Sequence, residues 1–363
     1  MRTVSGKIGK IHENLVLTIL LLLSILISSS ITSWAQNNEK KYVSLSGIWK
    51  FSIGDNKKWS QPGFNDNDWE EIYAPSPWED QGFNGYDGYA WYRKHFYCPP
   101  SLKDKMLYLH LGYIDDVDEV FINGKLVGSS GRFPPMFQTA YNASRRYPLP
   151  LSLLNVNGDN LITIRVYDSQ FSGGIVSGDL GIFALDFPIQ PDIALEGLWK
   201  FHLADDLQWK EKNFNDKDWN EILVPSNWES QGYPDYDGYA WYRKKFTLPD
   251  YLKTKTLVLL MGKIDDKDEV YFNGKLIGST GNVNDTRTND WDWQRFRGYY
   301  IPPEILQKEN TIAVRVYDGY INGGIYEGPI GIMTHEKYNE YWKVRKQRAQ
   351  KHQKNFWELI FGG

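Results

Sequence analysis

The sequence predicts an all-β protein: two tandem jelly-roll β-sandwiches with a short C-terminal helix. Three observations predict it. With 15 Trp and 32 Gly in 363 residues, the composition suits short strands and tight turns better than a helical bundle. The chain repeats itself at a spacing of 150 positions. Within each copy the local signals are those of strands, with no alternation of strand and helix patterns.

Taken in order, the chain opens on an address label. Arg2, Lys7 and Lys10 precede an apolar run from Leu15 to Ile27, and Ser33-Trp34-Ala35 puts small residues at the −3 and −1 positions of a cleavage site. Residues 1–35 are therefore expected to be a signal peptide cut near Ala35, and the protein to be exported. An uncleaved anchor is the rival, but the Ser-rich end of the run sits poorly in hydrocarbon. No cysteine follows the run, which speaks against a lipoprotein anchor. The lone Cys98 rules out an internal disulfide, and its counterpart Leu248 suggests a small buried apolar role.

Residues 36–190 and 191–335 are the two expected sandwich domains. Trp49-Lys50-Phe51 matches Trp199-Lys200-Phe201, Arg165-Val166-Tyr167-Asp168 matches Arg315-Val316-Tyr317-Asp318, and Gly173-Gly174-Ile175 matches Gly323-Gly324-Ile325. Copies this long are too large for solenoid repeats and too few for a propeller. The joint is expected near Phe187 to Asp192, where two prolines interrupt the strand pattern. Within each copy, Asn123-Gly124 and Asn273-Gly274 are hairpin signals, because a type I′ turn needs positive φ at both central residues. Leu107 to Leu111, Leu161 to Val166, Leu257 to Met261 and Thr311 to Val316 read as strands. Residues 336–363 read as a basic amphipathic helix, with Tyr338, Trp342, Ala349, Phe356 and Ile360 at near-helical spacing. It either packs on the second domain or docks a partner through its lysines and arginines.

The most distinctive stretch runs from Pro75 to Phe96 and returns from Pro225 to Phe246. Sugar sites pair an aromatic face with groups that hydrogen-bond hydroxyls, on a largely pre-formed surface. Trp78, Glu79, Tyr86, Asp87 and Arg93 have that chemistry, as do Trp228, Glu229, Tyr236, Asp237 and Arg243. The structural reading competes: Trp91 and Tyr92 fill a core, and Arg93 is the fixed partner of Asp87 or Asp115. The second copy is expected to bind better. Between Asn289 and Tyr299 it carries Trp291, Trp293 and Arg295, and its GGI loop carries Tyr320 and Tyr326. The acidic run with Asp115 and Asp116 recurs as Asp265 and Asp266. It reads either as an oxygen-ligand Ca²⁺ site, without EF-hand spacing, or as carboxylates capping a strand entrance, one facing the sugar site or pairing with Arg165.

The patterns W-x-x-I-x-x-P-x-x-W-E-x-Q-G, D-G-x-A-W-Y-R, L-G-x-I-D-D-x-D-E-V, R-V-Y-D and GGI together resemble the galactose-binding-like jelly roll. More narrowly they resemble the N-terminal sugar-binding domain of family 2 glycoside hydrolases of the β-galactosidase kind, and the jelly-roll insert of sialate O-acetylesterases. The resemblance covers nearly all of residues 42–335, once per copy, and implies carbohydrate recognition or processing. The hydrolases it resembles carry their catalytic glutamates in a separate (β/α)₈ barrel, which needs about 250 residues. Both copies are already spent on sandwiches, and no G-x-S-x-G is present. The expectation is a non-catalytic glycan-binding protein that assists a separate carbohydrate-active enzyme. An accessory glycosidase or esterase component and a structural docking module are the alternatives. The net charge of −4 argues against nucleic acid.

Overall fold

The computed structural model describes residues 39–103, 105–185, 190–287 and 291–361, with side chains at 350 and up to 347 in the last stretch. The expected leader, the start of the joint at Phe187, Asn289, and the side chains of Arg348, Ala349, Lys351, Lys354, Phe356 and Ile360 lie outside the described residues. No described helix is long and apolar enough to cross a membrane.

The first copy contains β1 (Glu39–Ser44), β2 (Gly47–Ile53), β3 (Glu70–Ala74), β4 (Gly88–Cys98), β5 (Met106–Asp115), β6 (Val117–Ile122), β7 (Lys125–Ser130), β8 (Ser144–Pro148), β9 (Gly158–Asp168) and β10 (Gly174–Leu185). They form a six-stranded sheet, β3-β2-β4-β9-β6-β7, and a four-stranded sheet, β1-β10-β5-β8. The second copy contains β11 (Ile193–Ala194), β12 (Gly197–Leu203), β13 (Asn220–Val224), β14 (Gly238–Thr247), β15 (Leu257–Asp265), β16 (Lys267–Phe272), β17 (Lys275–Thr280), β18 (Phe296–Ile301), β19 (Glu309–Asp318) and β20 (Gly324–Thr334). Its sheets repeat the same orders, β13-β12-β14-β19-β16-β17 and β11-β20-β15-β18. The molecule is all-β, two antiparallel sandwiches followed by α1 (His335–Phe361).

Period-two alternation explains the sandwich core. Trp49 and Phe51 of β2 point inward with Tyr92 of β4, and Phe51 meets Tyr92 edge-on at 4.9 Å. Cys98 is buried in the same core. The Asn-Gly turns form as the sequence predicts: φ is 50° and 79° at Asn123 and Gly124, and 49° and 82° at Asn273 and Gly274. In both copies the hairpin Asn is tied to the neighbouring strand of the same sheet by a 2.8 Å bond, from Asn123 to Asn160 on β9 and from Asn273 to Asn310 on β19.

On β15 the alternate residues Val258 and Leu260 face away from the core, and with Met333 they make an outer apolar patch. The first turns of α1 cover it. Tyr338 packs on the patch, Tyr341 stacks on Phe296 at 5.9 Å and Trp342 meets the same ring edge-on at 5.4 Å. The sandwiches also touch each other. Leu223 of the second joins the core of the first, Ser129 Oγ donates to the Ser230 carbonyl at 2.9 Å, and Arg132 pairs with Asp235.

Candidate functional site

Five strand ends meet at one pole of each sandwich. In the first, β5 ends at Asp115, the chain crosses between sheets at Asp116, and β6 begins at Val117. Pairing register then sets Gly174 opposite Asp115, Gly88 opposite Asp168 and Val117 opposite Tyr167. This brings Asp168, distant in sequence, to the Asp115-Asp116 corner. Oxygens of Asp115, Asp116 and Asp168 lie within 4.8 Å of one another, and those of Asp265, Asp266 and Asp318 do the same in the second copy.

The members of each trio are held differently. Asp116 Oδ2 accepts from the Ser169 amide at 3.0 Å and its hydroxyl at 2.7 Å, and Oδ1 accepts from Thr139. Burial would raise its pKa, but these bonds hold it below the ordinary value. Asp168 is fully buried, and neither of its carboxylate oxygens has a hydrogen-bond partner. Burial pushes it up to about 7; the backbone amide of Gln170, too far for a well-formed hydrogen bond, lowers it, and the charges of Asp115, Asp116 and Asp87 raise it further. Asp115 is pushed up to about 7 by burial and then by Asp116. In the second copy Asp265 is raised to about 8 by burial and by Asp266, and Asp318 to about 8 by burial and by Asp266, Glu229 and Asp237. Asp318 Oδ2 is again without a partner.

Beneath each trio a buried triad fixes the corner. Arg145 Nε donates to Asp118 at 2.6 Å, Tyr147 donates to the same carboxylate at 2.6 Å, and Arg145 also donates to the Asp116 carbonyl at 3.1 Å. Arg297, Asp268, Tyr299 and the Asp266 carbonyl repeat the arrangement.

Several of the residues expected to contact sugar belong instead to the frame. Trp78 and Trp228 are 0 % exposed and lie in the two cores. Gly173 and Gly323 sit directly against them; a Cβ there would come within 2.2 Å and 1.9 Å of the indoles. Neither Trp can stack on a ligand. Arg93 and Arg243 are equally sealed, and their partners are Asp66 and Asp216 at 2.7 and 2.8 Å, not Asp87 or Asp115. Glu79 and Glu229 accept from the amides of Gly173 and Gly323 at 3.0–3.1 Å. Tyr86 and Tyr236 spend their hydroxyls on the carbonyls of Tyr89 and Tyr239. Of each five-residue set, Asp87 and Asp237 stay exposed. Trp91 and Tyr92 fill the interior as expected. Arg165 does pair with the acidic run, through Glu119 at 3.1 Å, and also with Asp55.

Of the aromatic residues expected around the second copy's pole, Trp291, Trp293 and Tyr320 are exposed and Tyr326 is half-buried. Trp291 is 69 % exposed, Tyr320 71 %, and Trp293 and Arg295 also face solvent. Tyr320 follows Asp318 by two positions and donates its amide to that carboxylate at 3.4 Å. Tyr326 follows Gly324, the residue opposite Asp265, and its hydroxyl donates to the Trp293 carbonyl at 2.9 Å. Arg295 pairs with Asp292 at 3.2 Å. Sequence reasoning missed Asp168 and Asp318. The repeated R-V-Y-D motif was their signal, since an Asp ending a strand next to the Asp-Asp strand must reach the same pole.

The profile of the β-galactosidase second all-β domain matches residues 54–170. A β-galactosidase of Bacteroides ovatus is 32 % identical over 92 residues, 22 % of this chain and 11 % of that protein. One from Priestia megaterium is 31 % identical over 150 residues, 34 % and 14 %. Residues 54–170 are thus similar to an all-β domain of β-galactosidases. A β-glucuronidase of Formosa agariphila is 28 % identical over 95 residues, 23 % of this chain and 10 % of its own length. The chain thus spans a small fraction of the length of these relatives. Among solved structures, a family 2 glycosyl hydrolase from Bacteroides cellulosilyticus is 14 % identical, over 77 % of this chain and 31 % of its own, with a TM-score of 0.34. A Bacteroides uniformis β-glucuronidase is 16 % identical, over 77 % and 28 %, with a TM-score of 0.35.

Proposed function

We propose that this is an exported, non-catalytic carbohydrate-binding protein whose second sandwich holds a glycan at its pole. It assists a separate enzyme that breaks that glycan down. The observation that carries the reading is the exposed set of Trp291, Trp293, Tyr320 and the carboxylate of Asp237, on loops tied to the acidic corner through the Tyr320 amide and through Arg297, which donates to the carbonyls of Trp293 and Asp266. A sugar ring offers an apolar face to an aromatic ring and hydroxyls to carboxylates, so one rigid surface carrying both types of group suits it. The named activities of the relatives, β-galactosidase and β-glucuronidase, make β-linked galactosides and glucuronides the first ligands to try.

The test is binding of the purified protein to a panel of oligosaccharides. At least one should bind, and Trp293→Ala and Tyr320→Ala should each weaken it about tenfold, the loss expected for one stacking contact worth ~1.5 kcal/mol. A panel with no binder at millimolar concentration rejects the reading.

A further inference from the structure

We propose that each pole is a Ca²⁺ site, formed by Asp115, Asp116 and Asp168 in the first sandwich and by Asp265, Asp266 and Asp318 in the second. The inference is independent of the glycan reading and stands on three features of the geometry.

The first is spacing. Two oxygens bound to one Ca²⁺ at about 2.4 Å lie at most about 4.8 Å apart. The three carboxylates of each trio already meet that limit without any ion between them. The second is an orphaned acceptor. Asp168 is 0 % exposed and both its oxygens lack a partner; Asp318 is 0 % exposed and its Oδ2 lacks one. Buried carboxylates are ordinarily paired, hydrogen-bonded or bound to a metal. These two have neither of the first two kinds of partner at those atoms, and they face the other two carboxylates of their trio. The third is the missing counter-charge. Among the described residues no Lys or Arg makes an ion pair with any of the six carboxylates. The nearest buried cations, Arg145 and Arg297, are committed to Asp118 and Asp268 and to backbone carbonyls.

The donor set is all oxygen, with no His or Cys in either trio, which selects a hard cation. Ca²⁺ accepts six to eight oxygens in irregular geometry, so water and nearby carbonyls can complete its shell, whereas Mg²⁺ demands a near-ideal octahedron. Three carboxylates with the remainder left to neutral donors place the affinity with the weaker Ca²⁺ sites, on the order of 10⁻⁵ to 10⁻³ M.

The test is calorimetric titration of CaCl₂ into the whole protein after stripping with EDTA, with thermal unfolding followed in parallel. Two ions should bind per chain and the unfolding temperature should rise. Asp168→Asn and Asp318→Asn should each leave one ion, and the double variant none, while Asp179→Asn, an exposed carboxylate paired with Lys41, should leave two. Since a buried substitution can disturb folding, a measurement on the unaltered protein stands beside these. Tb³⁺ luminescence excited through the neighbouring aromatics should appear and be displaced by Ca²⁺. Mg²⁺ should bind at least tenfold more weakly. No Ca²⁺ uptake at about 10 mM, undiminished uptake in a folded double variant, or equal affinity for Mg²⁺ would each overturn the assignment.

Discussion

In the first sandwich Arg145 meets Asp118 at 2.6 Å; in the second Arg297 meets Asp268 at 2.9 Å, and both pairs are closed to solvent. The same equivalence runs through Arg93–Asp66 and Arg243–Asp216, Arg165–Glu119 and Arg315–Glu269, and the glycines under Trp78 and Trp228. It ends at the loops around the pole. Where β6 of the first copy opens with the apolar Val117, β16 of the second opens with Lys267, which is buried and donates to the carbonyls of Asp285 and Arg287. That ammonium fixes a loop path the first copy does not have. The first copy exposes Met136, Phe137 and Phe171 in its loops, and the second exposes Trp291, Trp293 and Tyr320. A sandwich of this kind needs its buried ion pairs and its Trp-over-Gly contacts, and it leaves the polar loops free to diverge.

If the frame is shared, breaking it should cost the same in either copy. Asp118→Ala and Asp268→Ala each leave a buried guanidinium without its carboxylate, and each should cost about 3–5 kcal/mol in denaturant unfolding. A loss below about 1 kcal/mol in one copy alone would break the equivalence. Gly173→Ala and Gly323→Ala press a methyl into the indole beneath and should cost about 1–3 kcal/mol each, read in the same way. Lys267→Val, which gives the second copy the residue of the first, should leave overall stability within about 1 kcal/mol and make the 282–287 loop a preferred site of limited proteolysis. Unchanged cleavage would mean that Lys267 does not set the loop.

The smallest effect concerns Glu196, which lies between the sandwiches and has no equivalent partner in the first. Its carboxylate accepts from the Ile330 amide at 3.4 Å, and burial pushes it up to about 7 from an ordinary 4.5. Folded protein therefore holds a proton that unfolded chain has lost between those values, so this residue's contribution falls as pH rises from about 4.5 through 7. Glu196→Gln should raise the unfolding temperature by a few degrees at pH 8 and by little at pH 4.5, since about 1 kcal/mol moves a domain of this size 2–4 °C. An equal shift at both pH values would contradict it.

The fold was legible because each signal is local. Asn-Gly fixes its own turn, β-branched alternation fixes a strand, and a 150-residue repeat fixes the number of sandwiches. The site was legible only in part. Trp78, Glu79 and Arg93 read as ligand chemistry because a Trp, an acid and an Arg look alike whether they face a sugar or a glycine, an amide and a loop carbonyl. Their burial depends on Gly173 and Asp66, which are 95 and 27 positions away. Asp168 was hidden for the converse reason. Its partners are brought to it by strand register, which no short motif reports. The exposure of Trp291, Trp293 and Tyr320 was easier to read, because long loops have few ways to bury their aromatics.

The central claim is that recognition belongs to the second pole and not to the shared frame. It is tested most directly by measuring the affinity of one bound oligosaccharide for Trp293→Ala and Tyr320→Ala against Phe137→Ala and Phe171→Ala in the whole protein. The first pair should weaken binding about tenfold and the second pair should leave it unchanged. Equal losses from both pairs, or a loss only from the first sandwich, would contradict the account.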